Sequence, residues 1–286
     1  MQNGGPSRTA LGAARYRAEH QVLDAASVFR DPLAVAVAEP GSGHAGFAPG
    51  HVDQDAAVAA RMRMFIVSRS RFAEDALADA YRAGVRQVVF LGAGLDTFAY
   101  RNPHPELRVF EVDHPDTQAW KQQRLAEAQI PIPESVTYVG VDFERQRLED
   151  VLPATGFDPA APAFFIWLGV TVYLTRPAIA TTLRTIAGFA PGTGLVFDYG
   201  LPWTPGTPEE RARAEARMRR LAAIGEEWVS FFTPEDIAAE LREAGLELVE
   251  DLAPDVVLAR YLEDLEPAAQ RPGPHLVRAV VATPAG

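Results

Sequence analysis

Apolar positions recur along the chain with two different spacings, and the switches between them mark out the elements. Val58, Met62, Phe65, Ile66, Phe72, Ala73, Ala76, Leu77 and Ala80 return at three- and four-residue steps, which predicts a helix over 58–81. At about 100° per residue Arg69 falls in the middle of that stripe and Arg71 on the opposite side. A guanidinium on a buried face must find an anion, a structural carboxylate or a ligand, or else carry its head out to solvent. The helix pattern alone leaves these readings open.

Short apolar runs bounded by turn residues follow. Val88 to Leu91 reads as a strand buried on both faces, ending in Gly92-Ala93-Gly94-Leu95-Asp96 ahead of an expected helix. Further strands are predicted over 107–113, 136–142, 164–170 and 194–199, with a helix over 115–128 and another started by Thr175 and Pro177. Thr233-Pro234 starts a helix that Gly245 stops. Two last strands, 246–251 and 276–282, need no helix between them and suggest a hairpin with one antiparallel strand. The alternation predicts an α/β fold of the Rossmann-like class I methyltransferase layout: a seven-stranded, mostly parallel sheet with helices on both faces.

Two stretches depart from that rhythm. Residues 9–38 alternate small apolar residues with Arg, and 39–50 are rich in Gly, Pro and Ala, so 1–57 is expected to form an N-terminal helical lid. Residues 201–232 form an insertion on the substrate side, opening on Leu201-Pro202-Trp203. The whole chain, 1–286, is expected to be one domain.

Composition narrows the chemistry. There is no cysteine, which excludes disulfides and thiolate zinc sites, and the six histidines show no ligand spacing, so no metal is expected. A net charge of −11 argues against a nucleic-acid partner or an anionic membrane surface. No apolar run is long enough to span a bilayer and the first twelve residues lack a signal-peptide core, so the expected location is cytoplasmic. Oligomeric state is not readable.

The glycine stretch is where a ligand is expected, because open α/β sheets bind ligands outside the carboxyl ends of their strands. A dinucleotide fingerprint needs a third glycine where Thr97 stands, which weighs against a nicotinamide oxidoreductase. Gly92, Ala93 and Gly94 followed by Asp96 better suit S-adenosylmethionine (SAM), which has no pyrophosphate and carries an ammonium and a carboxylate. Asp113, about 20 residues on at the end of a strand, suits ribose hydroxyls. Asp142 at the end of the next is placed to accept from the adenine amino group, with Phe143 against the ring. Each acid taken singly also reads as a turn former; the three rim features in order favour the functional reading.

Several stretches resemble the leucine carboxyl methyltransferase family, including its bacterial branch of SAM-dependent methyltransferases. They are Thr9-Ala10-Leu11 through Arg17-Ala18-Glu19, Phe29-Arg30-Asp31-Pro32, Arg69-Ser70-Arg71-Phe72, Gly84 to Val89, Gly92-Ala93-Gly94-Leu95-Asp96-Thr97 with Tyr100-Arg101, Glu111-Val112-Asp113 and Tyr173-Leu174. The resemblance implies a class I fold, with SAM as cofactor and S-adenosylhomocysteine as product. Arg69 would then grip the SAM carboxylate, Gly92 line the methionine moiety, Asp113 take the ribose, Asp142 with Phe143 take the adenine, and a basic residue from the N-terminus, matched here to Arg15, reach SAM. One position departs from the family: Leu168 stands where an acid usually follows the fourth strand. The SAM ammonium is then expected on backbone carbonyls around Gly92 or Gly169.

The acceptor is expected to be a small molecule or a peptide C-terminus. A carboxylate acceptor needs no base, whereas a phenol or alcohol does, and His114 and His275 both read as surface residues. The missing base, with the resemblance, favours O-methylation of a carboxylate. Hydroxyl O-methylation, and SAM binding without transfer, stay open. Tyr173, Tyr199 and Trp203 follow the fourth and fifth strands and are candidates for an aromatic acceptor pocket or for core packing.

Overall fold

The computed structural model describes residues 8–39, 56–141, 146–202, 206–208, 211–212, 215–216, 219, 227–262 and 273–282. The sheet has seven strands in the order β3-β2-β1-β4-β5-β7-β6. They are β1 (Gln87–Leu91), β2 (Arg108–Asp113), β3 (Val136–Gly140), β4 (Phe164–Trp167), β5 (Gly194–Tyr199), β6 (Leu246–Leu252) and β7 (His275–Val281). The first five run parallel, and β7 is antiparallel to β5 and β6 on either side. The five parallel carboxyl ends therefore share one edge, which is where the glycine stretch and Asp113 lie.

Period-two alternation divides β1 and its neighbours between two cores. Val89, Leu91, Phe165, Trp167, Leu195 and Phe197 pack with Leu148 of α5 (Leu148–Val151), Ile179, Leu183 and Ile186 of α6 (Arg176–Ala187) and Ile237 and Leu241 of α7 (Pro234–Ala244). Val88, Phe90, Phe164, Ile166 and Val196 face the other way, onto Phe72, Ala73, Ala76 and Leu77 of α3 (Ala56–Arg82). All five β1 residues are buried, as the apolar run Val88 to Leu91 requires, and the polar Gln87 donates from its side chain to the Asp158 carbonyl. Thr233 opens α7 with a capping box, its hydroxyl accepting from the Asp236 amide while the Asp236 carboxylate accepts from the Thr233 amide. Gly245, at φ +89, ends the helix in the left-handed conformation.

The N-terminal segment is built into the body. Ala14 and Ala18 of α1 (Arg8–Leu23) and Ala34, Val35 and Val37 of α2 (Ala34–Ala38) form a third core with Leu95 and with Leu125 of α4 (Pro115–Glu127). Tyr16 packs on Phe65 and Ile66, and Val28 and Phe29 on Val67. Residues 65–70 of α3 are therefore buried all round, between the sheet on one side and the N-terminal helices on the other.

Two expectations need correction. The residues after the glycine stretch form no long helix but a single 3-10 turn, Phe98–Tyr100, because Pro103 and Pro105 follow within five residues and remove backbone donors. A short helix, α8 (Pro254–Ala259), stands between β6 and β7 where a plain hairpin was expected. No helix among the described residues is long and apolar enough to cross a membrane.

Candidate functional site

The loop after β1 needs glycine at two positions. Gly92 has φ +69, and a Cβ there would stand 2.5 Å from Val170 Cγ2, so the loops after β1 and β4 touch through a bare α-carbon. Gly94 has φ +46 and packs against Ala10 of α1. The amides of Gly92 and Ala93 donate to the Val112 carbonyl at 2.8 and 3.1 Å, which seats the loop on the end of β2.

Asp113 ends β2 on the expected rim. Its Oδ2 accepts from the Gly94 amide at 2.6 Å and its Oδ1 from the His114 amide at 2.7 Å, so it holds the loop's shape. Burial pushes its carboxyl up, and the two amides oppose that. The Thr117 side chain is a third donor to this carboxylate, which has about four acceptor sites in all and so keeps capacity for a ribose hydroxyl. Asp96 has a different setting. Its Oδ1 accepts from the Phe98 amide at 2.8 Å and its Oδ2 from Arg17 Nη1 at 3.0 Å. Burial raises the Asp96 carboxyl, but the Arg17 and Arg101 guanidinium groups outweigh it and hold the group below the usual carboxylate range. The loop's acid thus caps its own 3-10 turn and anchors α1.

Arg17, not Arg15, is the N-terminal cation at the loop. It also donates from Nη2 to the Leu95 carbonyl and is 6% exposed, whereas Arg15 is only partly buried.

At the carboxyl ends of β4 and β5 the helix α3 delivers Arg69. It is 9% exposed and its Nη1 donates to Asp198 Oδ2 at 2.6 Å, while Arg71 on the opposite face pairs with Asp75 and is exposed. Asp198 Oδ1 accepts from the Gly169 amide at 2.6 Å. Gly169 has φ +72 and leaves room for the guanidinium, since a Cβ there would come within 2.9 Å of Arg69 Nη2. Leu168, beside it, packs on the α3-side core. Sequence reasoning missed Asp198. Its signal was a lone charge inside the otherwise apolar, fully buried strand Leu195-Val196-Phe197-Asp198-Tyr199.

The candidate acceptor residues separate. Tyr199 is 1% exposed, packs edge-on to Phe232 and donates to Asp251 Oδ2 at 2.8 Å, so it belongs to the core and not to an acceptor pocket. Burial, and then the Asp251 charge, drive its hydroxyl far above the usual phenol range. Tyr173 lies partly buried in the 3-10 turn Thr171–Tyr173 beyond β4. His275, expected at the surface, is half-buried at the start of β7, with its Nδ1 2.7 Å from Asp251 Oδ1. His114 is the N-cap of α4, its Nδ1 accepting from the Asp116 amide. Asp142, Phe143 and Trp203 lie outside the described residues.

The rim therefore gathers bare backbone at Gly92 and Gly94, the Asp113 carboxylate and the Arg69 guanidinium. Known proteins resemble the chain over much of its length. The model of the leucine carboxyl methyltransferase family matches residues 10–187. "Putative S-adenosyl-L-methionine-dependent methyltransferase YktD" of Bacillus subtilis is 38% identical over 195 residues, 66% of this chain and 63% of its own, so the aligned part spans less than two thirds of that relative. A protein of the same description from Mycobacterium marinum is 33% identical over 282 residues, covering 94% of this chain and 91% of its own. The solved structure of a "putative methyltransferase" from Thermobifida fusca YX superposes with a TM-score of 0.57 at 19% identity, covering 99% of this chain and 97% of that one, and speaks for the fold. Sequence likeness along nearly the whole chain and a class I sheet converge: the chain belongs to the leucine carboxyl methyltransferase family, whose cofactor is S-adenosylmethionine.

Proposed function

We propose that the protein methylates an oxygen of a small molecule or a peptide C-terminus, and that this oxygen belongs to a carboxylate. The observation that carries the reading is the match over 10–187 to a family described by carboxyl methylation. SAM supplies an electrophilic methyl carbon, which a nucleophile displaces in line from sulfur. The chain's part is to fix the donor against the glycine loop and Arg69, align the acceptor beyond β4 and β5, and exclude water. An ionised carboxylate acceptor asks for no proton transfer from any side chain.

A second reading, transfer to a hydroxyl, has one specific observation in its favour. His275 and Tyr199 both bond the Asp251 carboxylate, at 2.7 and 2.8 Å. An imidazole that gives its Nδ1 proton to a carboxylate keeps a basic lone pair at Nε2, the arrangement of a general base.

Product chemistry decides between them. With labelled SAM and acceptors bearing either group, the carboxylate reading expects an alkali-labile ester, little rate change above about pH 6, and product formation that survives His275→Gln. An alkali-stable ether whose formation falls about 10²- to 10⁴-fold in His275→Gln supports the hydroxyl instead. S-adenosylhomocysteine binding with no transfer to either acceptor class sinks both.

A further inference from the structure

We propose that Asp198 receives the α-ammonium of the cofactor's amino-acid end, so that β5 supplies the acid absent after β4. The proposal rests on the rim being the SAM site. Leu168 occupies the position after β4 and is packed on the core, so it offers no charge to a cation. Asp198 reaches the same spot from the neighbouring strand, its Oδ1 on the amide of Gly169 at 2.6 Å, one residue beyond Leu168. The loop after β4 then joins it to the glycine stretch, since its Val170 touches Gly92 and its Gly169 touches Arg69.

The charge pattern suits a zwitterion. Arg69 and Asp198 present one positive and one negative group side by side, with side-chain exposures of 11% and 7%. An α-amino acid end carries the same two charges in complementary order, so it can lay its carboxylate on the guanidinium and its ammonium on the aspartate. Neither partner is used up. The structure gives each Asp198 oxygen one donor, and a carboxylate has about four acceptor sites. Arg69 Nε is buried with no hydrogen-bond partner, an orphan donor in a residue nine-tenths buried. That capacity lies on the rim, where a ligand can meet it, and leaving a buried donor unmet is costly. The backbone carbonyls expected to hold the ammonium are then secondary to a full charge.

Ligand analogues test the assignment without turnover. Calorimetric affinities are measured for S-adenosylhomocysteine and for its desamino analogue, in which hydrogen replaces the α-ammonium, on the full-length parent and on Asp198→Asn. The expected result is that the substitution weakens S-adenosylhomocysteine about ten- to a hundredfold and the desamino analogue by no more than about threefold. Equal losses for both ligands, or none for either, overturn the proposal and return Asp198 to a structural ion pair. If Asp198→Asn does not fold, Asp198→Glu keeps the charge beside Arg69 but displaces it by one methylene. It is then expected to narrow the parent's preference for the amino ligand, and an unchanged preference overturns the assignment. A parent that binds neither ligand fails the cofactor-site reading itself, an outcome distinct from the others.

Discussion

Two groups of buried charge flank the glycine loop, and they are completed to different degrees. Behind the loop, Asp31 is fully buried and accepts from the Thr97 hydroxyl at 2.6 Å and the Leu33 amide at 3.1 Å, with Arg17 at 3.7 Å and Arg101 at 3.5 Å. Arg101 also grips both oxygens of Glu74 and lies over Phe29. Lys121 and Glu111, 2.7 Å apart and almost wholly buried, extend the same side. In front, Arg69 and Asp198 have each other and one backbone amide. The first group binds α1, the Phe29–Leu33 turn, α3 and the loop into one piece, with charges answered from several directions. The second is sparse and sits on the rim. Each group keeps a buried nitrogen without a hydrogen bond, Arg17 Nε behind and Arg69 Nε in front, so what separates them is the number of charged partners and the place in the fold: many partners mark a scaffold, whereas a single ion pair on the strand edge marks a place for a ligand.

The comparison is broken most severely by Asp31→Ala. Removing that carboxylate leaves two buried guanidinium groups short of a partner, and losing one member of a buried pair costs about 3 to 5 kcal/mol. A fall in Tm on the order of 10 °C is expected, with a matching drop in denaturant midpoint. A melt within about 2 °C of the parent would mean that the rear group is not the scaffold described.

Arg69→Ala acts on the front group and should be felt mainly in ligand affinity. A charge-assisted bond to the SAM carboxylate contributes roughly 1.5 to 3 kcal/mol, so S-adenosylhomocysteine should bind about ten- to a hundredfold more weakly. Arg71→Ala, on the exposed side of the same helix, should leave affinity within about twofold and stability within about 0.5 kcal/mol. Calorimetry on both, with melts to confirm folding, makes the check; equal affinities in the two variants would erase the contrast between the faces.

The smallest effect is a pH dependence on the rear side. His20 is fully buried, accepts the Val28 and Phe29 amides at Nε2, both at 3.2 Å, and faces Asp24 through Nδ1, with Arg63 on the far side of that carboxylate. Burial lowers its pKa below the ordinary 6.5, against the opposing pull of Asp24. A base depressed in the folded state stays neutral there while the unfolded chain takes up a proton. Its contribution is therefore whole above about pH 6.5 and shrinks as pH falls below that. Thermal melts from pH 7.5 to 5 should decline less steeply in His20→Gln than in the parent, even though the variant starts lower. Parallel declines would remove His20 from the account.

Much of this was legible in the chain. Strand runs such as Val88 to Leu91 and Gly194 to Tyr199, the Thr233 and Gly245 caps, and the placement of Arg69 against Arg71 follow from local rules of period and turn chemistry, which act over a few residues. The glycine loop and Asp113 could be assigned to the rim because a parallel sheet puts every strand's carboxyl end on one edge. Other features depend on separations no local pattern encodes. Arg69 and Asp198 are 129 residues apart, and Arg17 and Asp96 are 79. The core position of Tyr199 depends on Asp251, and the His275 pairing on the register of β7 against β5 and β6. Periodicity tells which side of an element is buried, so the sequence by itself determined the strands, the caps and the rim. Which buried charge meets which is fixed only when distant elements are packed, because desolvation demands a partner without naming it, and so the tertiary structure alone decided that Asp198 stands beside Arg69 and that Arg17, rather than Arg15, holds the loop.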